Sequence, residues 1–106
     1  MALLIKARPG LFVRVVPDNG RAFSLLELQR FVGGYIEIVR MRGRNRLIVL
    51  NEDGKRLQLP TNELATRLLH HAGGSLFDWV VGDVILGTLA ELGGADDDVD
   101  EDEERR

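Results

Sequence analysis

The last twelve residues of the chain, 95–106, limit the size of what can fold. They hold 8 of the chain's 17 acidic residues and only one large apolar side chain, Val99. A segment of this composition cannot bury enough apolar surface to offset the entropy lost on ordering, so we expect residues 95–106 to form a disordered acidic tail. The globular domain is then predicted to span residues 1–94, which is enough for one hydrophobic core.

Charge divides along the same boundary. Residues 1–94 carry 12 basic and 9 acidic residues, a net charge of +3, whereas the whole chain has a net charge of −3. A basic body favours an anionic partner, and the acidic tail could compete for the same surface. The alternative is that both charge groups only keep the protein in solution.

The chain has no cysteine, which excludes disulfides, thiolate metal sites and cysteine nucleophiles. The adjacent histidines His70 and His71 would point to different faces of a helix, so they predict no metal site. No apolar run approaches the ~18–20 residues that span a bilayer, and Met1–Lys6 lacks the basic region of a signal peptide. We therefore expect a cytoplasmic protein without a cofactor and without contact to a membrane.

The first half of the predicted domain combines a hairpin with a helix. Two short apolar runs, Leu3–Ala7 and Leu11–Val16, flank a turn and predict a β-hairpin. Ser24 and Glu27 have the spacing of a capping box, in which each side chain satisfies a free backbone N–H of the first helical turn. Because glycine adopts the left-handed conformation common after helices, the pair Gly33-Gly34 is predicted to end this helix.

The second half is predicted to hold four strands and a helix. Tyr35–Val39, Leu47–Leu50 and Arg56–Leu59 would form an antiparallel meander, with a tight Asp-Gly turn before the third strand. A helix would begin near Pro60–Glu63, capped by Thr61 or Asn62. Asp78–Leu89 would form a last strand, interrupted by a bulge or close backbone approach at Gly82, with a helix as the alternative after Gly87. The order β-β-α-β-β-β-α-β predicts an α+β fold, a single two-layer domain with a mostly antiparallel sheet and two helices.

Four segments in this order carry a family resemblance: Val-Gly-Gly-Tyr-Ile-Glu at 32–37, Asn-Glu-Asp-Gly-Lys at 51–55, Leu-Pro-x-Asn-x-x-Ala-Thr at 59–66 and Gly-Asp-Val at 82–84. The chain resembles a small family known as a domain of unknown function, whose members occur largely in bacteriophages, plasmids and their hosts. The resemblance implies an accessory protein of a mobile element that modulates host machinery or host defence. It implies no catalytic or ligand-binding residues.

An arginine-rich segment is the main candidate site. Arg40, Arg42, Arg44 and Arg46 alternate with other residues within seven positions. At a hairpin tip their guanidinium groups could contact phosphate oxygens, with Tyr35 and Glu37 near the base of the site. The leading hypothesis is a non-enzymatic protein that binds a host protein or an anionic ligand, either a nucleotide or a nucleic acid. The alternative role of these arginines is to prevent aggregation at an exposed hairpin.

Other functional classes stay open at this level. Glu37 or Asp83 could act as the acid or base of a small enzyme, although nothing in the sequence places them together. A small structural module that oligomerises through an open sheet edge, as a homo-oligomer, is a further alternative. Trp79 is predicted to lie in the core together with Phe77, and would be a candidate contact residue only if it were partly exposed.

Overall fold

The computed structural model describes residues 2–41, 46–71 and 78–96. These residues form five strands and three helices in the order β-β-α-β-β-α-β-α. The strands are β1 (Ala2–Lys6), β2 (Leu11–Val15), β3 (Ile36–Arg40), β4 (Arg46–Asn51) and β5 (Val84–Thr88), and the helices are α1 (Leu25–Val32), α2 (Glu63–His71) and α3 (Leu89–Asp96).

The five strands form one sheet in the order β2-β1-β5-β4-β3, and every neighbouring pair is antiparallel. The predicted N-terminal hairpin is confirmed, since β1 pairs with β2 from Ala2–Val15 to Lys6–Leu11. The last strand, β5, lies between β1 and β4 and joins the β1–β2 hairpin to the β3–β4 hairpin. Strands β2 and β3 are therefore the two edges of the sheet.

Helices cover both faces of the sheet, so the α+β class is confirmed but the predicted two-layer arrangement is wrong. Side chains alternate between the faces along each strand, and the central strands are apolar on both sides. On the α1 face, Val49 and Ile85 pack with Leu28 of α1 and Leu92 of α3. On the opposite face, the α2 face, Ile48, Val84 and Leu86 pack with Ala65 of α2. The central strands are thus buried on both sides, which the sequence analysis did not predict.

The predicted capping box and the predicted glycine end of α1 are confirmed. The Ser24 side chain accepts from the Glu27 N–H at 3.1 Å, and the Glu27 carboxylate accepts from the Ser24 N–H at 2.8 Å. Gly33 ends the helix at φ 82°, in the left-handed region that glycine adopts without a steric penalty. The loop that follows leads directly into β3.

The predicted third strand of the meander, Arg56–Leu59, is wrong. This segment forms successive turns, in which the Leu57 N–H bonds to the Asp53 carbonyl and the Leu59 N–H to the Gly54 carbonyl. The physical reason is that β4 already pairs on both sides, with β3 and with β5, so its backbone has no free edge for another strand.

The last predicted strand is shorter than expected. Only Val84–Thr88 of the predicted Asp78–Leu89 segment is a strand, and α3 follows at once. Gly82 has φ +77°, and a Cβ there would lie 2.8 Å from the Leu59 side chain, which confirms the predicted close approach. Helix α3 includes residues 95 and 96 of the predicted tail; the rest of that segment lies outside the described residues.

Candidate functional site

The segments that carry the family resemblance meet around two buried asparagines. Asn62 is completely buried and directly precedes α2. Its amide donates to the carbonyls of Ile5 and Gly82, both at 2.9 Å, and its Oδ1 accepts from the Ala65 N–H at 3.1 Å. One side chain thus caps α2 and ties it to β1 and to the chain leading into β5. The predicted capping role of Asn62 is confirmed.

Asn51 makes similar hydrogen bonds on the α1 face of the sheet. Its amide donates to the Val32 carbonyl at 3.1 Å, at the end of α1, and its Oδ1 accepts from the Asp53 N–H at 2.8 Å. A Cβ on Gly34 would lie 3.0 Å from this amide, so the glycine leaves room for the contact. Asn51 therefore links the end of α1 to the turn after β4.

Three further residues of the resembling segments, Gly54, Thr66 and Asp83, also make structural contacts. A Cβ on Gly54 would lie 2.7 Å from the Val81 side chain. The Thr66 hydroxyl accepts from the Val80 N–H at 2.8 Å. The Asp83 carboxylate accepts from the Ala7 N–H at 2.9 Å and lies 3.4 Å from the Lys6 ammonium. These contacts join the two hairpins and α2. The residues named in the four resembling segments therefore stabilise the packing of these elements against each other.

The predicted anion site lies at one end of the β3–β4 hairpin. Arg40 ends β3, Arg46 begins β4, and both are exposed. The Met41 N–H donates to the Arg46 carbonyl at 3.0 Å, which holds the two strands together at this end. Arg42 and Arg44 lie outside the described residues.

The two described arginines project to opposite faces of the sheet. Arg40 shares the face of Ile36 and Ile38, which pack on the α1 side, whereas Arg46 shares the face of Ile48, which packs on the α2 side. They therefore flank the end of the hairpin and do not form a clamp on one side of it.

Tyr35 and Glu37 do not lie at the base of the arginine segment. Tyr35 precedes β3 and is 71% exposed, whereas Arg40 is the last residue of the same strand. Five residues of extended chain span about 16 Å, so the two side chains start far apart. Glu37 is exposed on β3, on the opposite face from Arg40. The structure brings together Arg40 and Arg46 but not these two residues.

The carboxylates considered for acid–base chemistry are not next to each other. Glu37 lies on the edge strand β3, and Asp83 is held by the Ala7 N–H and Lys6 at the start of β5. Neither lines the groove of about 560 Å³ between the β1–β2 turn and α2, whose walls include Arg8, Thr61 and Arg67. Glu37 and Asp83 therefore do not form a carboxylate pair in a shared cleft of the described part of the chain.

Trp79 is 48% exposed, so the prediction that it lies in the core is wrong; Phe77 lies outside the described residues. The Lys55 ammonium lies 4.1 Å from the centre of the indole ring and 2.7 Å from the Asp78 carboxylate. The hydrogen bond and charge of Lys55 hold the pKa of Asp78 below its usual range. Residue spacing could not reveal this cluster, because its members come from distant turns.

Among residues 2–41, 46–71 and 78–96, no group of three or more His, Asp or Glu residues is arranged to hold a metal ion. Within the same part of the chain, no helix has the length and apolar character needed to cross a membrane.

Comparison with known proteins identifies one family. A family model described as "Domain of unknown function (DUF3846)" matches residues 3–105, nearly the whole chain. No curated protein and no solved structure matches the sequence.

Proposed function

The chain belongs to the DUF3846 family of unknown function, and we propose that it is a non-enzymatic accessory protein of a phage or plasmid that binds nucleic acid of its host. The observation that supports binding is the exposed pair Arg40 and Arg46 at one end of adjacent strands. The mobile-element context is supported only by the resemblance of the four sequence segments.

The placement of the arginines favours a polymeric anion over a small one. Arg40 and Arg46 project from opposite faces of the hairpin, so a single phosphate group is poorly placed to contact both. A nucleic-acid backbone that crosses the hairpin end presents successive phosphates along its length and can meet both guanidinium groups. Arg42 and Arg44 extend the same basic run in the sequence.

The charge of the folded part supports the same ligand class. Residues 1–94 carry a net charge of +3, which attracts a polyanion close to this surface, whereas the acidic residues after position 94 bring the whole chain to −3 and oppose this attraction at long range. Arginine suits phosphate oxygens because its planar guanidinium group donates two parallel hydrogen bonds. Among the described residues, the recorded cation–π contact is Lys55 with Trp79 and does not involve Arg40 or Arg46. Because arginine–phosphate contacts do not read the bases, we expect binding with little sequence preference.

The test is a binding titration of the full chain with fluorescently labelled single- and double-stranded oligonucleotides. The double substitution Arg40→Glu with Arg46→Glu is expected to weaken binding at least about tenfold and to reduce the salt dependence by roughly one to two counterions. The thermal midpoint should change little, because both side chains are exposed at strand ends.

The matched control is Arg8→Glu with Arg21→Glu. It changes the net charge by the same amount at two exposed residues outside the β3–β4 hairpin. This control should lose only the small part of the affinity that comes from net charge. Equal losses in the two double variants would contradict the site. A wild-type chain that binds no oligonucleotide, but retains a host protein in an affinity purification, would replace nucleic acid by a protein partner.

A further inference from the structure

We propose that two copies of the chain associate through the outer edges of their β2 strands. The strands would pair antiparallel about a two-fold axis at Val13 and join the two five-stranded sheets into one continuous sheet. This inference uses no residue of the proposed nucleic-acid site, so either proposal can fail without the other.

The outer edge of β2 is apolar and uncovered. In the described residues no strand pairs with this side, and Leu11, Phe12 and Val13 are 41%, 59% and 45% exposed. Folded proteins usually protect such an edge with charged residues, proline, a bulge or a covering element, because its free N–H and C=O groups pair readily with another strand. Arg14 is the only charged residue of β2.

The other edge of the sheet has a different character. Strand β3 carries Glu37 and Arg40, both exposed, and its apolar side chains Ile36 and Ile38 pack against the α1-face core. Charges on an edge strand oppose pairing with a second chain. The contrast between the two edges singles out β2 as the surface for association.

The length of β2 determines the register. With a two-fold axis perpendicular to the sheet, the α1 faces of both copies lie on the same side of the joined sheet. Such an axis passes between one residue and the same residue of the second copy. In a strand of five residues, only an axis at the middle residue pairs the whole strand with its copy, and in β2 that residue is Val13. Leu11 then lies opposite Val15 of the second copy, and Phe12 lies opposite Arg14.

This register makes the strand complementary to itself. Each Arg14 guanidinium meets the Phe12 ring of the other copy, a cation–π pair that occurs twice, and the two arginines do not lie opposite each other. Leu11, Val13 and Val15 make apolar pairs on the α1 face, where Val15 already packs against the core. On the order of four to six backbone hydrogen bonds would close the edge. The contact is short, so we expect dissociation in the micromolar range.

Disulfide trapping tests the register, because the chain has no cysteine of its own. Directly opposed residues have Cα atoms roughly 4.5–5.5 Å apart, within the range of a disulfide, so Val13→Cys is expected to form a covalent dimer under mild oxidation. In the same register, two copies of Phe12→Cys would lie about 8 Å apart and should not cross-link. Equal cross-linking of the two variants, or none at Val13→Cys, would overturn the proposal.

Charge at Phe12 gives a second test that does not depend on oxidation. Phe12→Glu places a carboxylate opposite Arg14 and is expected to keep the dimer, whereas Phe12→Lys places two cations opposite each other and should weaken it roughly tenfold or more. Light scattering after size exclusion, over about 10–500 µM protein, measures the mass, and circular dichroism checks folding. A monomer throughout this range, or equal effects of Phe12→Glu and Phe12→Lys, would refute β2 pairing.

Discussion

Replacing Asn62 by alanine tests whether this side chain holds the two hairpins and α2 together. The substitution removes two hydrogen-bond donors from the carbonyls of Ile5 and Gly82 and the acceptor that caps α2. Because Asn62 is completely buried, water cannot replace these partners. All three backbone groups would therefore lose a hydrogen bond in the folded state.

The expected cost follows from these contacts. Loss of an N-cap side chain costs about 1 kcal/mol. Each buried carbonyl left without its donor costs about 1–1.5 kcal/mol. We therefore expect Asn62→Ala to lower the free energy of unfolding by about 3–4 kcal/mol, a large fraction of the roughly 5–15 kcal/mol typical of natural domains.

Urea denaturation followed by circular dichroism measures this change. With a slope of about 1.5 kcal/mol per molar urea, the midpoint should fall by about 2 M while the slope itself stays constant. The matched control is Asn19→Ala, since Asn19 also accepts from two backbone N–H groups, of Arg21 and Ala22, but lies in an exposed turn. Its loss should stay below about 1 kcal/mol.

A loss below about 1.5 kcal/mol for Asn62→Ala, or one equal to that of Asn19→Ala, would show that the buried hydrogen bonds contribute less than this reasoning requires. If Asn62→Ala does not fold, Asn62→Ser serves instead. Serine keeps an acceptor suited to capping but lacks the amide, so the expected loss is about 2–3 kcal/mol.

Two further predictions concern Glu27 and Gly82. Backbone hydrogen bonds from Ser24 and Asp18 lower the pKa of Glu27, so its contribution to stability is complete above the unfolded pKa and is lost as the pH falls through the lower folded value. Thermal melts from pH 7 to pH 2 should therefore show a smaller acid-induced loss for Glu27→Gln than for the wild type, and equal losses would exclude this role. Gly82→Ala should cost about 1–2 kcal/mol more than Gly10→Ala, because both have positive φ but only Gly82 contacts Leu59. Urea midpoints compare the two, and equal losses would show that the Leu59 contact carries no cost.

The structure also explains which sequence-based predictions failed. The Arg56–Leu59 segment has the alternation of a strand, but β5 takes the place beside β4 that this segment would need. Trp79 has a large apolar side chain of the kind usually found in a core, yet its ring lies against Lys55 at the surface. Both outcomes depend on contacts between residues far apart in the sequence, which local patterns do not encode.

One element outside the predicted order, the helix α3, also has a local signal. Thr88 and Glu91 have the spacing of a capping box, and the Glu91 N–H donates to the Thr88 hydroxyl at 3.2 Å while Glu91 accepts from the Thr88 N–H at 3.0 Å. This signal predicts the helix α3 that follows β5 directly. The pattern after Gly87 leaves a helix open as an alternative to the strand, and this capping box favours the helix.

For the candidate site, the sequence could predict that arginines cluster in one segment, but not how their side chains and Tyr35 are arranged in space. Alternation of arginines indicated a basic hairpin, and the structure places Arg40 and Arg46 at its end. Tyr35 is near the arginines in the sequence, but it precedes β3 and Arg40 ends that strand. In an extended strand five residues span about 16 Å, so sequence neighbours become spatially distant.

Local signals in the sequence specify the Ser24–Glu27 cap, the Gly33 helix end, the first hairpin and a cap of α2 at Thr61 or Asn62. The caps join residues only three or four positions apart, and the hairpin pairs residues at most 13 positions apart, so a short stretch of chain suffices to specify them. Local patterns do not predict that β5 lies between β1 and β4, that helices cover both faces, or that no strand of the described residues pairs with the outer edge of β2. These features depend on the tertiary structure. The physical reason is that strand order depends on pairing and burial across the whole chain, where each apolar strand competes for the same few neighbours.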